Sequence, residues 1–269
     1  MNPPVALTVA GTDSGGAAGT AADLATFAAL GVHGAGVITA VTAQDTTGVS
    51  DIHAVPIATV EAQLHAVFDD LPVAAVKTGM LGSAEAVELV ARLCADRPLV
   101  VDPVLVATSG AVLGGDDVRR AYLDHLLPVA TVVTPNLDEA RALAGRDGSP
   151  DELARELAGM KPAVIVTGGD PEATGTCTDW LAEPGKPPIP LTHPAVPTSN
   201  DHGTGCTYSS ALAAHLAHGA SLREAAKQAA AYVTRQLAAS RHWTLGRGRG
   251  PIAHLSPNQL SPTSIKETA

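Results

Sequence analysis

Aromatic side chains make up only 3% of the sequence: two Phe, two Trp and three Tyr in 269 residues. A core with so few large rings must be filled by Ala, Val and Leu on closely packed helices and strands. Cysteine is also scarce. Cys94, Cys177 and Cys206 are odd in number and far apart, which excludes a disulfide framework and offers no paired ligand spacing for zinc. The ten histidines show no metal-like spacing either. This usage suits a reducing compartment. Basic residues are in the minority, with 17 Lys and Arg against 27 Asp and Glu and a formal charge of −10. The balance excludes nucleic acid and anionic membrane as partners, because either needs clustered cations. Any phosphate must then be held by local chemistry. No apolar run reaches the ~18 residues of a membrane-spanning helix. Met1–Val5 runs straight into strand-like sequence with no signal-type core, so a cytoplasmic protein is expected.

Apolar residues make up 45% of the chain, enough for a large core. Short apolar runs at Val5–Ala10, Gly36–Val41, Val73–Lys77, Leu99–Asp102, Thr131–Thr134 and Val164–Thr167 read as strands. Helical periodicity lies between most of them, at Ala21–Leu30, Val60–Phe68, Ala84–Ala95, Asp117–Leu127, Leu137–Leu143 and Asp151–Met160. The alternation predicts a mostly parallel sheet with helices on both faces. Beyond Gly168 the pattern changes. Thr174–Leu181 and the proline-rich Lys186–Pro197 suit a hairpin or edge strands, and two helices come after them at about Gly205–His218 and Ser221–Ser240. With no repeat and no linker, residues 1–269 read as a single domain, with 252–269 as a loosely held tail.

His202-Gly203-Thr204-Gly205-Cys206-Thr207 stands just before an Ala-rich helical run. Its glycines form either a tight turn or a cradle whose N–H groups, with the helix dipole, stabilise a migrating phosphoryl group. Cys206 is either a small buried hydrophobe or, at a helix start, a thiol of lowered pKa able to act as base. Asn136 and Glu139 form an Asn-x-x-Glu helix cap. Asp102 ends a buried strand before Pro103, a costly place for a carboxylate unless it is paired or faces a cation. Thr167-Gly168-Gly169 ends another strand as either a glycine turn or a phosphate border.

Asp201-His202-Gly203-Thr204-Gly205-Cys206-Thr207 closely resembles the signature of the hydroxymethylpyrimidine and phosphomethylpyrimidine kinases of thiamine biosynthesis, in the ribokinase superfamily. Ala10-Gly11-Thr12-Asp13, Ala22-Asp23-Leu24, Val37–Gln44, Thr47-Gly48-Val49, Lys77–Leu81, Val101–Val104, Ser109-Gly110, Thr134–Ala140 and Gly248–Pro251 resemble further family segments, in order. The resemblance implies a ribokinase-like three-layer α/β/α sandwich with a central, mostly parallel sheet and a few antiparallel edge strands. It further implies an ATP- and Mg²⁺-dependent kinase acting on a small heteroaromatic alcohol, commonly as a homodimer. Cys206 becomes the general base, with Gly203, Thr204 and Gly205 in the anion hole. Gly11, Asp23, Gln44, Met80, Val104 and His202 fall to the substrate, and Asn136, Glu139, Thr167 and Gly168 to ATP. Asp102 and Glu139 fall to the metal. Asp23 and Gln44 have suitable chemistry, since a carboxylate accepts from an amino group and an amide both donates and accepts.

The sequence departs from the family in two places. The first loop, Asp13-Ser14-Gly15-Gly16-Ala17-Ala18-Gly19, has displaced glycines, and Thr20-Ala21 replaces a common Ile-Gln. Two family lysines are Thr108 and Thr167 here, and Asp170 stands for a histidine. Lost positive charge weakens charge-assisted phosphate contacts, so phosphorylation of the already phosphorylated pyrimidine is expected to be the weaker step. A pyridoxal or pyridoxine kinase and a non-catalytic ligand sensor are the rival readings.

Overall fold

The computed structural model describes residues 2–105, 115–168 and 175–255. Strand β1 (Val5–Ala10) is followed by helix α1 (Gly19–Ala29), β2 (His33–Ile38), β3 (Ala40–Asp45), β4 (Gly48–Ala54), α2 (Ile57–Asp70), β5 (Val73–Thr78) and α3 (Ala84–Cys94). Next come β6 (Leu99–Val101), α4 (Asp116–Ala121) with a π turn through Tyr122–Leu126, β7 (Val132–Val133), α5 (Leu137–Ala144), α6 (Pro150–Ala158) and β8 (Ala163–Val166). The chain continues as β9 (Thr176–Ala182), β10 (Ile189–Pro194), α7 (Thr204–Ala217) and α8 (Leu222–Ser240).

Eight strands form one sheet in the order β10-β9-β8-β7-β6-β5-β1-β2. The six from β2 to β8 pair in parallel, whereas β9 and β10 run antiparallel at the edge. The mostly parallel sheet and antiparallel edge implied by the sequence are therefore present. Alternation along the strands separates two cores, as the two-residue strand period requires. Leu7, Val9, Leu99, Val101, Val133 and Val164 point to one face, where they pack with residues of α2, α3, α5 and α6. Ala6, Val100, Val132, Ala163 and Ile165 point to the other, against α7, α8 and Phe27 of α1. That second layer is built from alanines, with Ala211, Ala213, Ala214, Ala225, Ala226 and Ala229 fully buried. Small side chains let the helices sit close to the sheet, so the near absence of aromatics costs little packing.

Two expectations need correction. The strand foreseen at Gly36–Val41 is two strands, because the chain leaves the sheet at Thr39, whose N–H donates to Ala10 and whose hydroxyl donates to the Met80 carbonyl. Past that point β3 pairs with β4 in a separate two-stranded flap. The family-like segment Thr47-Gly48-Val49 forms the turn and start of β4, closed by Asp45 Oδ1 accepting from the N–H groups of Thr47 and Gly48. The tail, expected to be loose, is held as far as it is described. Ile252 and Ala253 are buried, and Pro251 bridges to His202. Residues 256–269, together with Thr108, Ser109, Gly110, Gly169 and Asp170, lie outside the described residues.

Candidate active site

The ends of β1, β5, β6, β7 and β8 lead into Gly11, Met80, Asp102, Asn136 and Thr167, so the residues singled out in sequence gather beyond the carboxyl edge of the sheet. Ligands of open α/β sheets bind at that edge. Helix α7 starts there. Its N-cap, Gly203, has φ 89° and ψ 4°, a left-handed conformation that only glycine adopts cheaply. A Cβ on Gly203 would fall 1.8 Å from the Ala17 carbonyl oxygen, so the first loop and the start of α7 are in backbone contact.

Asp13 shapes that loop, and sequence reasoning gave it no role. Its Oδ1 accepts from Gly15 N–H at 2.8 Å, and its Oδ2 accepts from Ala17 and Ala18 N–H at 3.0 and 2.9 Å. Burial alone would raise this carboxyl; hydrogen bonds from His202, Gly15 and Ala18 bring it below the usual carboxylate value. His202 Nε2 lies 3.3 Å from Asp13 Oδ2 and 3.1 Å from Gln44 Nε2, joining the loop, the flap and α7. The Gly248–Pro251 segment straps residues 199–202, ahead of α7, from outside. Gly250 accepts from His202 N–H and donates to Ser199, while Arg249 forks onto the Asp201 carboxylate.

Thr204 does not serve the cradle as expected. Its N–H and its hydroxyl both donate to the Asp201 carbonyl, at 3.2 and 2.6 Å. Gly205 and Cys206, the next two residues of the first turn, have amides with no intrahelical acceptor.

Beneath the cradle lies Lys77, at the end of β5 and fully buried. Its ammonium donates to Asp23 at 2.7 and 2.9 Å and stands 4.0 Å from Asp102. Burial pulls the lysine down, but Asp23, Cys206 and Asp102 together hold it above its ordinary value. Asp23 also accepts from Thr8 Oγ1 at 2.6 Å and Ser210 Oγ at 2.7 Å. Here the expectation that Asp23 contacts substrate is corrected, because three protein donors occupy a carboxylate with no exposed surface.

Cys206 also departs from expectation. Burial pushes its thiol up to about 12, Lys77 pulls against this, and Asp102 and Asp23 push further. The lowered pKa expected at a helix start is outweighed first by burial of the thiol, with the two carboxylates adding to it.

Asp102 accepts from Ser209 Oγ at 3.0 Å. Glu139 and Asn136 form a reciprocal capping box, each side chain bonded at 2.9 Å to the other's backbone N–H. Burial raises the Glu139 carboxyl to about 8, with the Asp102 charge adding to the rise; Asp102 is likewise raised by burial. Two buried carboxylates that disfavour each other's charge form a donor set suited to a hard divalent cation. Thr167 N–H and hydroxyl both face the Pro135 carbonyl, at 2.9 and 3.5 Å, tying the ends of β7 and β8 together. Met80 packs on Gly11, where a Cβ would meet its methyl at 2.5 Å, and Val104 is half-buried after β6. A cavity of about 220 Å³ is lined by Thr39, Ala40, Met80 and Leu81 beside the flap. A larger one, about 620 Å³, opens between Glu61, Glu85 and His125 and holds none of the site residues.

The raised Glu139 carboxyl makes stability depend on pH. The folded state holds a proton that the unfolded chain, at its ordinary 4.5, has released. This contribution is therefore fully present below 4.5 and is lost as pH rises through about 8. Urea midpoints are expected to fall across that window in the metal-free protein, and less so in Glu139→Gln; equal slopes in the two proteins contradict the assignment.

Comparison with known proteins agrees with this geometry. The family model described as phosphomethylpyrimidine kinase matches residues 13–253. A hydroxymethylpyrimidine/phosphomethylpyrimidine kinase of Rhizobium meliloti is 46% identical over 259 residues, 93% of this chain and 96% of that protein. The ADP complex of Bacillus subtilis pyridoxal kinase superposes with a TM-score of 0.84 at 32% identity, covering 94% of this chain and 97% of the other. A phosphomethylpyrimidine kinase of Clostridium difficile superposes at 0.74 with 33% identity, over 86% and 98%. By sequence over nearly its whole length, and by the fold that carries its site, the chain belongs to the phosphomethylpyrimidine kinase family.

Proposed function

We propose that the protein acts in the cytoplasm as an ATP-dependent kinase of thiamine biosynthesis. Its substrate is 4-amino-5-hydroxymethyl-2-methylpyrimidine, and it phosphorylates the resulting monophosphate less efficiently. The observation that carries this reading is the start of α7. The free amides of Gly205 and Cys206 follow directly after His202, whose Nε2 lies 3.1 Å from Gln44 Nε2, in a chain 46% identical to a kinase named for both substrates. In the reaction a bond forms between the hydroxymethyl oxygen and the γ-phosphorus, the bond to the ADP oxygen breaks, and the hydroxyl proton leaves. Little covalent work falls to the protein, so positioning and charge stabilisation dominate.

Gln44 and His202 would orient the ring, whose faces Met80 and Val104 are suited to cover. Gly11 allows Met80 its close approach. The α7 amides stabilise charge on the moving phosphoryl group. Asp102 and Glu139 would hold Mg²⁺, with Asn136, Thr167 and Gly168 toward the nucleotide phosphates. Bound there, the ion supplies charge neutralisation on phosphate oxygens. Cys206, at the first turn of α7, would take the substrate hydroxyl proton.

Thr167 gives the phosphate region a hydroxyl already facing Pro135, where the family resemblance implies an ammonium, and this supports a weak second step. ADP release with ATP, Mg²⁺ and the alcohol or its monophosphate tests both points. A higher kcat/KM on the monophosphate refutes the ranking; turnover of pyridoxal alone, or of none of the three, refutes the substrate assignment. Cys206→Ala is expected to lower kcat by about 10²–10⁴-fold while leaving the urea midpoint near wild type; full activity removes Cys206 from proton transfer. We also propose a homodimer formed through the flap, where Val41 and Ile52 are 49% and 43% exposed. Sedimentation velocity should give a two-copy mass that a Val41→Lys, Ile52→Lys double variant loses; an unchanged mass in the variant moves the interface elsewhere.

A further inference from the structure

The antiparallel edge carries a cluster that the kinase chemistry does not use. Cys177 and Asp179 are two residues apart on β9, hence on one face, and His193 of β10 pairs directly with Cys177 in the strand register. The Cys177 sulfur, an Asp179 oxygen and a His193 ring nitrogen all lie within 4.8 Å of one another, with His193 Nε2 3.3 Å from Asp179 Oδ2. Sequence spacing gives no sign of this cluster, because register between strands brings together residues that are far apart along the chain.

The atoms turned away from the cluster are held by backbone. His193 Nδ1 lies 3.4 Å from the Pro194 carbonyl oxygen, which suits hydrogen on Nδ1, while Nε2 donates to Asp179 and becomes the ligand nitrogen once that proton leaves. Asp179 Oδ1 accepts from Gly168 N–H at 3.1 Å, which fixes the carboxylate with Oδ2 toward the histidine. Outer contacts of this kind orient the first ligands of metal sites.

We propose that Cys177, Asp179 and His193 bind one zinc-class divalent ion, with a fourth position for water. Sulfur and imidazole donors select Zn²⁺ over Mg²⁺, which takes oxygen ligands. Coordination uses the thiolate and a neutral imidazole nitrogen, so binding expels the protons these groups carry. Because Asp179 also holds Gly168, the ion clips the β9–β10 hairpin to the turn after β8, on the nucleotide side of the sheet.

Co²⁺ added to the full-length, chelator-treated protein without ATP is the probe, since thiolate–Co²⁺ charge transfer absorbs in the near ultraviolet. One equivalent should produce that band. Cys177→Ser should abolish it, His193→Gln should weaken binding by more than roughly 100-fold, and Cys206→Ser should keep it. Circular dichroism of each variant confirms folding. A band absent from the wild type, or one lost with Cys206 and retained without Cys177, overturns the site. Neither result bears on kinase activity, which is assayed separately with Mg²⁺.

Discussion

The site depends on one buried ammonium. Lys77 has no exposed surface, yet it sits among Asp23, Asp102 and the Cys206 sulfur, and so links the end of β5 to α1, to the end of β6 and to the first turn of α7. Desolvating these charges costs several kcal/mol per ion and is recovered only with close geometry and further donors. The protein supplies such donors. Thr8 and Ser210 complete Asp23, and Ser209 completes Asp102. Hydrophobic replacement of such a network is often no less stable, so its value here is positional: four elements cannot slide without stranding a charge.

Positions around the lysine derive from that constraint. Helix α7 is fixed from below by its serines and from the side by the first loop, which Gly203 admits to backbone contact. That loop is wound on Asp13, whose carboxylate gathers three amides that would otherwise point into the cleft. The displaced glycines of this loop therefore leave its anchor intact. Outside, the strap at Gly248–Pro251 bears on the segment ahead of α7, since a Cβ at Gly250 would fall 1.7 Å from Asn200 Oδ1. Asn200 in turn donates to the carbonyls of Ser240 and Trp243 beyond α8. Residues distant in sequence thus share one load path to the amides of Gly205 and Cys206.

Much of this was legible in the sequence, and the failures share one physical cause. Buried parallel strands such as Leu99–Val101 are continuous apolar runs, and the Asn136 cap is a local pattern, so both could be read directly. The flap strand β4 is exposed over most of its length and carries no apolar signal; only the Asp45 turn marked it. The surroundings of Asp23, Cys206 and the Cys177 cluster could not be read locally, because they depend on neighbours supplied by other elements. Local sequence describes the start of α7 as a place that lowers a thiol pKa, while the burial that reverses the effect, and the carboxylates that add to it, come from other elements, α1 and the end of β6 among them. Resemblance could identify these residues as important without giving the sign of the field at each.

That sign bears on the order in which charge enters the site. Asp23 and Asp102 face one lysine, while burial, with the Asp102 charge adding to it at Glu139, pushes the Asp102 and Glu139 carboxyls toward their neutral forms. Drawing out both negative charges there takes a cation. On the proposed reading, a divalent cation between Asp102 and Glu139 is therefore a condition of nucleotide binding as well as of transfer. The substitution of Thr167 for a lysine fits the same balance. With less fixed positive charge, the site relies more heavily on the mobile ion, and a substrate that brings its own phosphate meets the deficit first.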